Sequence, residues 1–389
     1  MNFASRIREL GPEGAYRVMA LASELERQGK DIIHLEIGQP DFSTFPEIID
    51  AGKAAIDAGF TRYNPSEGYA DIRETIADYA KRVRSIQATP DQVVVAPGAK
   101  PVILMPLLAL IEPGDEVLYP DPGFPSYRSA IELVGGKPVP IPLVESNSFS
   151  FDLNELEARI TSRSKLLIIN SPANPTGGVI PDSDLQAIAS IAQRHDLWVM
   201  SDEIYSRLVY DNTQASSIYN LEGMAERTIV VDGFSKSYAM TGWRLGFAIM
   251  PATLAAKVGL LLTHSVGCTA GFTQKAGIAA IEHGDRYIEE IVSRYQRRRD
   301  LFIGGLNAID RVSCNLPEGA FYAFLNCSEL GIPSAQLAER LLNEAGIACV
   351  SGTDFGANGE GYVRFSYATS SDKLEGAVER IGNFVTALQ

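Results

Sequence analysis

Lys165-Leu166-Leu167-Ile168-Ile169-Asn170 and Leu197-Trp198-Val199-Met200-Ser201-Asp202 frame the stretch that decides the fold. Both segments carry large apolar residues on both parities, as a strand covered on both faces does. Between them, Asp182-Ser183-Asp184 predicts a capped helix running to residue 195, with Leu185, Ile188, Ala189 and Ala192 on one stripe. A buried strand, an amphipathic helix and a second buried strand make a β-α-β unit with parallel strands.

Similar apolar runs recur at 92–95, 116–119, 228–231 and 245–249, with helical patterns between several of them. The rhythm predicts an α/β fold: a mainly parallel sheet with helices on both faces, three layers in all. The C-terminal third reads differently. A charged helix over about 285–309 leaves the sheet, followed by a strand at 320–325, a helix at 334–345, a strand at 362–366 and a last helix from Ser371. That is an α+β pattern, and a helix at about 13–28 is expected to pack on it. We expect a large domain over 39–289 and a small one built from 1–38 and 290–389. A chain of 389 residues is long enough for two cores.

Composition narrows the function. Hydrophobic residues make up 46% and charged residues 21%, as in a folded chain. Formal charge is 34 − 48 = −14, which disfavours nucleic acid and anionic membranes as partners. The longest apolar stretch, 102–111, contains Pro106 and is shorter than the ~20 residues that span a bilayer. Residues 1–6 show no apolar signal core. Cys268, Cys314, Cys327 and Cys349 have no C-x-x-C spacing, and the four histidines have no partners at metal spacing. We therefore expect reduced thiols, a cytoplasmic location and no metal site.

In an open parallel sheet, ligands bind at the carboxyl ends of the strands. Ala96-Pro97-Gly98-Ala99-Lys100 follows one predicted strand and opens a helix. Asn170 to Gly177, with Asn174-Pro175-Thr176-Gly177, follows another. Asp202-Glu203-Ile204-Tyr205 follows a third, and Asp232-Gly233-Phe234-Ser235-Lys236 a fourth. Each is weak alone; Asn-Pro-Thr-Gly is usually only a turn. Brought to one rim they supply a phosphate cradle, a carboxylate, a phenol and an amine. Competing signatures are absent: there is no G-x-G-x-x-G, Walker A or H-E-x-x-H, and Ser162-Arg163-Ser164-Lys165 lacks the K-T-G of its S-x-x-K relatives.

The segment Gly233-Phe234-Ser235-Lys236-Ser237-Tyr238-Ala239-Met240-Thr241-Gly242-Trp243-Arg244-Leu245-Gly246 resembles the cofactor-lysine segment of class I aminotransferases, the fold type I enzymes that use pyridoxal 5′-phosphate (PLP). The resemblance extends through Ile37-Gly38-Gln39-Pro40-Asp41-Phe42, Tyr63-Asn64-Pro65-Ser66-Glu67-Gly68, Asn174 to Gly177, Asp202 to Tyr205 and Tyr362-Val363-Arg364-Phe365-Ser366. It implies ping-pong transfer between an L-amino acid and a 2-oxo acid. Donors would be aspartate or a broader set including aromatic and alanine-like ones, with 2-oxoglutarate as acceptor.

The resemblance also implies roles. Lys236 would hold the cofactor covalently and then move the substrate Cα proton, which needs a depressed amine pKa. Asp202 would pair with the cofactor's ring nitrogen. Tyr205 and Asn174 would bond its ring oxygen, and Phe124 would lie on the ring face. The backbone of Gly98, Ala99 and Lys100, with Ser235 and Arg244, would hold the phosphate. Tyr63 would reach that phosphate from a second subunit of a homodimer. Arg364 would take the substrate α-carboxylate, helped by Gly38 and Asn174. The Lys100 side chain, as in one aspartate aminotransferase subgroup, would meet a distal carboxylate. The chain departs from the family pattern at two points: Pro101 follows Lys100 where Gln is usual, and Gly233 stands where some members carry a hydroxyl. Two rivals remain: a lyase on the same fold that cleaves a C–S bond or forms a cyclopropane, and, from a different class, a non-catalytic PLP-binding or regulatory protein.

Overall fold

The computed structural model describes residues 11–388, together with Ala4 and Ile7. The reading of residues 1–6 therefore falls, except for Ala4, outside the described residues.

Twelve strands follow in chain order: β1 (Ile33–His34), β2 (Val93–Ala96), β3 (Glu116–Asp121), β4 (Lys137–Pro142), β5 (Ser164–Asn170), β6 (Trp198–Asp202), β7 (Thr228–Gly233), β8 (Gly246–Ile249), β9 (Tyr322–Asn326), β10 (Ile347–Ala348), β11 (Val350–Ser351) and β12 (Tyr362–Ser366). Seven form one sheet in the order β2-β8-β7-β6-β5-β3-β4. Its pairs are parallel except where β8 runs antiparallel to β2 and β7. The mainly parallel α/β expectation holds.

The alternation within each strand divides the sheet's contacts between its two faces. Val94, Ala96, Leu166 and Ile168 join Val102, Leu107 and Val258 on one face. Val93 and Val95 face a second cluster with Ile72 and Phe234, while Leu167 and Ile169 join Leu185 and Ile188 in a third. The edge strand β4 escaped the sequence reading. Its Lys137-Pro138-Val139-Pro140-Ile141-Pro142 has three prolines and only Ile141 fully buried. Proline is tolerated on an edge strand because one side of the ladder needs no donor.

A smaller antiparallel sheet, β11-β12-β9, lies near the chain's end, and β1 pairs with β10. The helix Gly14–Arg27 packs here through Ala22, which shares a cluster with Ile32, Leu342 and Ala348. The charged helix runs from Asp285 to Leu306. The helix at 334 is α-helical to Arg340 and widens to a π-turn over Leu341–Ala345.

One local expectation fails. The helix Asp182–Arg194 has Pro181 at its N-cap, with no side-chain cap. Asp182 and Asp184 sit in the first turn, where carboxylates favour the helix dipole. Asp184 is engaged elsewhere, accepting from Ser150 Oγ at 2.5 Å.

Candidate active site

The register of the large sheet assembles the site. Asn170 pairs with Asp202 across β5 and β6, and Asp202 pairs with Val231 across β6 and β7. The carboxyl ends of three parallel strands are thus level. β8 runs the other way, so its first residue, Gly246, pairs with the last residues of β2 and β7, Ala96 and Gly233. Arg244, two residues before β8, is delivered to the same rim. An all-parallel sheet would have carried it to the opposite edge.

A cleft of about 1290 Å³ opens there. It brings together Gly38, Ala99, Lys100, Phe124, Asn174, Asp202, Tyr205, Ser235, Lys236, Arg244 and Arg364 from the sequence reading. Two expected residues do not line it. Gly98 lies just behind the wall, and Tyr63 is 97% exposed on the surface.

The part-buried Lys236 Nζ donates to the Gly38 carbonyl oxygen at 2.7 Å. Burial first, then the guanidinium charges of Arg364 and Arg244, push its amine down to about 8. Asp202 opposes this with its negative charge. Asp202 is itself buried, and that burial pushes its carboxyl up to about 6. The Tyr127 hydroxyl donates to Asp202 Oδ2 at 2.7 Å, and the Ile204 N–H to Oδ1 at 3.2 Å; both favour the carboxylate. A cationic N–H partner in the cleft would favour it further.

Asn170 braces the Asn174 loop. Its side chain accepts from the Asn174 N–H at 2.9 Å and donates to the Asp202 carbonyl at 2.9 Å. The Asn174 side-chain oxygen accepts from Arg364 Nη1 at 3.1 Å. Arg364 reaches across from β12, where the alternation turns Val363 and Phe365 into the core and leaves Arg364 on the other side. Its Nη2 donates to the Glu36 carbonyl, and its guanidinium lies 4.6 Å from the Tyr322 ring centroid. Arg364 Nε is buried without a hydrogen-bond partner among the described residues. A buried donor left this way is costly, and a carboxylate ligand would satisfy it.

The phosphate cradle is equally specific. Gly98 has φ +94° at the N-cap of the helix Ala99–Leu110, and a Cβ there would meet Arg244 Nη2 at 2.1 Å. A Cβ on Gly246 would meet the Ala99 nitrogen at 2.7 Å. Two glycines therefore let Arg244 and a helix N-terminus with free N–H groups converge, the arrangement that binds phosphate. The donor set fits PLP: a deprotonable amine, a carboxylate for a ring nitrogen and a cradle for a phosphate.

Two site residues were missed in the sequence. Tyr127 anchors Asp202. Tyr322, on β9, has its hydroxyl 2.6 Å from that of Tyr205, and its ring is the reason residue 38 is glycine, since a Cβ there would lie 2.0 Å from the Tyr322 oxygen. Tyr127 lies three residues after Phe124, whereas Tyr322 has no sequence signal beyond its place on an apolar strand.

A lysine, a carboxylate and a phosphate cradle at the carboxyl rim of such a sheet define a fold type I PLP enzyme. The sequence profile of aminotransferase class I and II matches residues 30–381, and the chain belongs to that family. An aspartate aminotransferase of Pyrococcus abyssi is 42% identical over 98% of this chain and 97% of its own. An aromatic-amino-acid aminotransferase of Thermococcus litoralis is 40% identical over the same shares. The aspartate aminotransferase of Thermus thermophilus, solved with maleate, superposes with a TM-score of 0.95 at 35% identity, covering 98% of this chain and 99% of that one. The protein is a PLP-dependent aminotransferase whose substrates are amino and 2-oxo acids. Among the described residues, no helix is long and apolar enough to cross a membrane.

Proposed function

We propose that the enzyme exchanges an amino group between aspartate, or a broader set including aromatic and alanine-like donors, and a 2-oxo acid such as 2-oxoglutarate. The observation that carries the reading is the Lys236 amine. Burial, then the charges of Arg364 and Arg244, hold it down at about 8 against the opposing charge of Asp202, so an appreciable fraction is free base near neutrality.

Bound PLP supplies an electron sink for the carbanion formed at the substrate Cα. Lys236 Nζ would take the substrate Cα proton. Asp202, held by Tyr127, would keep a proton on the ring nitrogen of the bound cofactor. Tyr205 and Asn174 would face its ring oxygen, and Phe124 would cover one ring face. Ser235, Arg244 and the N–H groups at Gly98, Ala99 and Lys100 would grip its phosphate. Arg364, with Asn174 and Gly38 beside it, orients the α-carboxylate, and Lys100 meets a distal carboxylate where the substrate has one.

We also propose a cytoplasmic homodimer in which Tyr63 completes the partner's phosphate site. Its near-complete exposure in the single chain supports this. The buried, unpaired Cys314, Cys327 and Cys349 support a reducing compartment. The separation of the seven-stranded sheet from the two small sheets supports a division into 39–289 and 1–38 plus 290–389, with the helix Asp285–Leu306 running across the boundary.

The test is the visible spectrum of the PLP-loaded protein with L-glutamate, then L-aspartate, and no oxo acid. Conversion to the pyridoxamine band is expected. Release of pyruvate or ammonia from one amino acid, with no such conversion, would make the enzyme a lyase instead.

A further inference from the structure

Lys100, the one cation assigned to a distal carboxylate, already has a carboxylate. Glu13, at the N-cap of the helix Gly14–Arg27, pairs through Oε1 with Lys100 Nζ in the first turn of the helix Ala99–Leu110. The same Oε1 accepts from Ser126 Oγ at 2.8 Å, so Glu13 is bonded twice to the far wall of the cleft. Glu13, Lys100, Phe124, Lys236 and Arg364 all line that cleft, and the Lys100 ammonium stands 5.7 Å from the Phe124 ring centroid. The charge on Lys100 is near enough to lower the Lys236 amine.

The pair is exchangeable. The Lys100 side chain is 50% exposed and that of Glu13 25%, so solvent screens their attraction. A substrate held at Arg364 by its α-carboxylate projects its side chain into this region. A distal carboxylate then competes with Glu13 for one ammonium, and whichever loses remains as a like charge beside the winner. An aromatic or aliphatic side chain makes no such demand and leaves the pair closed. Discrimination of this kind needs a repulsive element as well as an attractive one, and Glu13 is that element.

We propose that Glu13 is a built-in competitor of the substrate's distal carboxylate, setting the balance between dicarboxylic and neutral donors. This rests on the reading of Lys100 given above. The experiment uses the PLP-loaded protein and two unreactive acids, succinate and 3-phenylpropionate, with binding measured by calorimetry, alongside kcat/KM for aspartate and phenylalanine.

Glu13→Gln keeps the size and the Ser126 partner but removes the charge. It should tighten succinate relative to 3-phenylpropionate by about two- to fivefold, the scale of one half-exposed ion pair. The aspartate-to-phenylalanine ratio of kcat/KM should rise by a similar factor, through KM rather than kcat. Glu13→Asp, which keeps the charge, should show little of this gain. Lys100→Met should weaken succinate, and Glu13→Gln added to it should gain less than in the wild type, since the competition for Lys100 is gone and only the like-charge repulsion is left to relieve.

A loosened N-terminal helix would weaken both acids together and leave the ratio alone, and that result would overturn the proposal. If Lys100→Met weakens succinate while Glu13→Gln leaves the ratio unchanged, only the role of Glu13 falls. If Lys100→Met does not weaken succinate, the reading of Lys100 falls and takes the proposal with it.

Discussion

The two walls of the cleft come from different kinds of structure. The rim of the large sheet supplies Asp202, fixed by the register of β6, and Asn174, Lys236 and Arg244 on the segments that adjoin β5, β7 and β8. The facing wall supplies Gly38, Tyr322, Arg364 and Glu13 from the small antiparallel sheet and the N-terminal segments. On the function proposed above, the first set addresses the cofactor and the second the substrate. The two walls meet where Lys100, on the helix that follows β2, pairs with Glu13 from the N-terminal segment.

The contrast breaks most visibly at Lys236. Lys236→Ala removes the base at the substrate Cα, a role worth 10²- to 10⁴-fold on its own, and the covalent anchor as well. Turnover should fall by at least that factor for every donor alike, with the circular dichroism spectrum unchanged. A loss confined to some donors would place the residue with the substrate wall.

Arg364→Lys sharpens the other side. Lysine keeps the charge but loses the planar fork that grips a carboxylate at two points. Hydrogen bonds to charged groups contribute about 1.5–3 kcal/mol, so kcat/KM for amino acids should drop roughly 10- to 100-fold, mostly through KM. PLP affinity, measured by fluorescence, should stay within about twofold, since the contacts proposed for the cofactor lie on the sheet side. A large loss of PLP affinity would show that the two walls are not separable.

The same difference governs what was legible in sequence. Strands buried on both faces are continuous apolar runs, so β2, β5, β6 and β7 stood out, and the residues after each could be read as a rim. β4 did not stand out, because an edge strand tolerates prolines that elsewhere argue against a strand. β1, β10 and β11, at two residues each, are shorter than any periodicity can reveal. Arg364 and Gly38 were found only through family resemblance. On a strand such as β12 an arginine between two core residues reads as an ion pair. Tyr322 looked like packing, and its bond to Tyr205 joins residues 117 positions apart. Glu13 gave no signal as the partner of Lys100, since an acidic residue before a helix is ordinary and 87 positions separate the two.

The two walls meet electrostatically at one amine, which yields the finest test. In the cofactor-free protein only unprotonated Lys236 attacks the PLP aldehyde, so loading should accelerate with pH and level off above the amine pKa. With that pKa at about 8, roughly a tenth of the amine is free at pH 7 and nine-tenths at pH 9, so the rate should rise nearly tenfold between them. Burial contributes most to the lowering, and the charge of Arg364 is the next cause. Arg364→Met removes a positive charge from beside an ammonium, so the ammonium becomes easier to keep and the pKa rises. The midpoint of the loading profile should therefore move to higher pH, and the rate at pH 7 should fall although the residue touches no part of the phosphate cradle. Arg364→Lys, which keeps the charge, should leave the midpoint close to that of the wild type. If Arg364→Met loads with an unmoved midpoint, the sheet side alone sets the amine, and the substrate wall has no influence on the chemistry of the other.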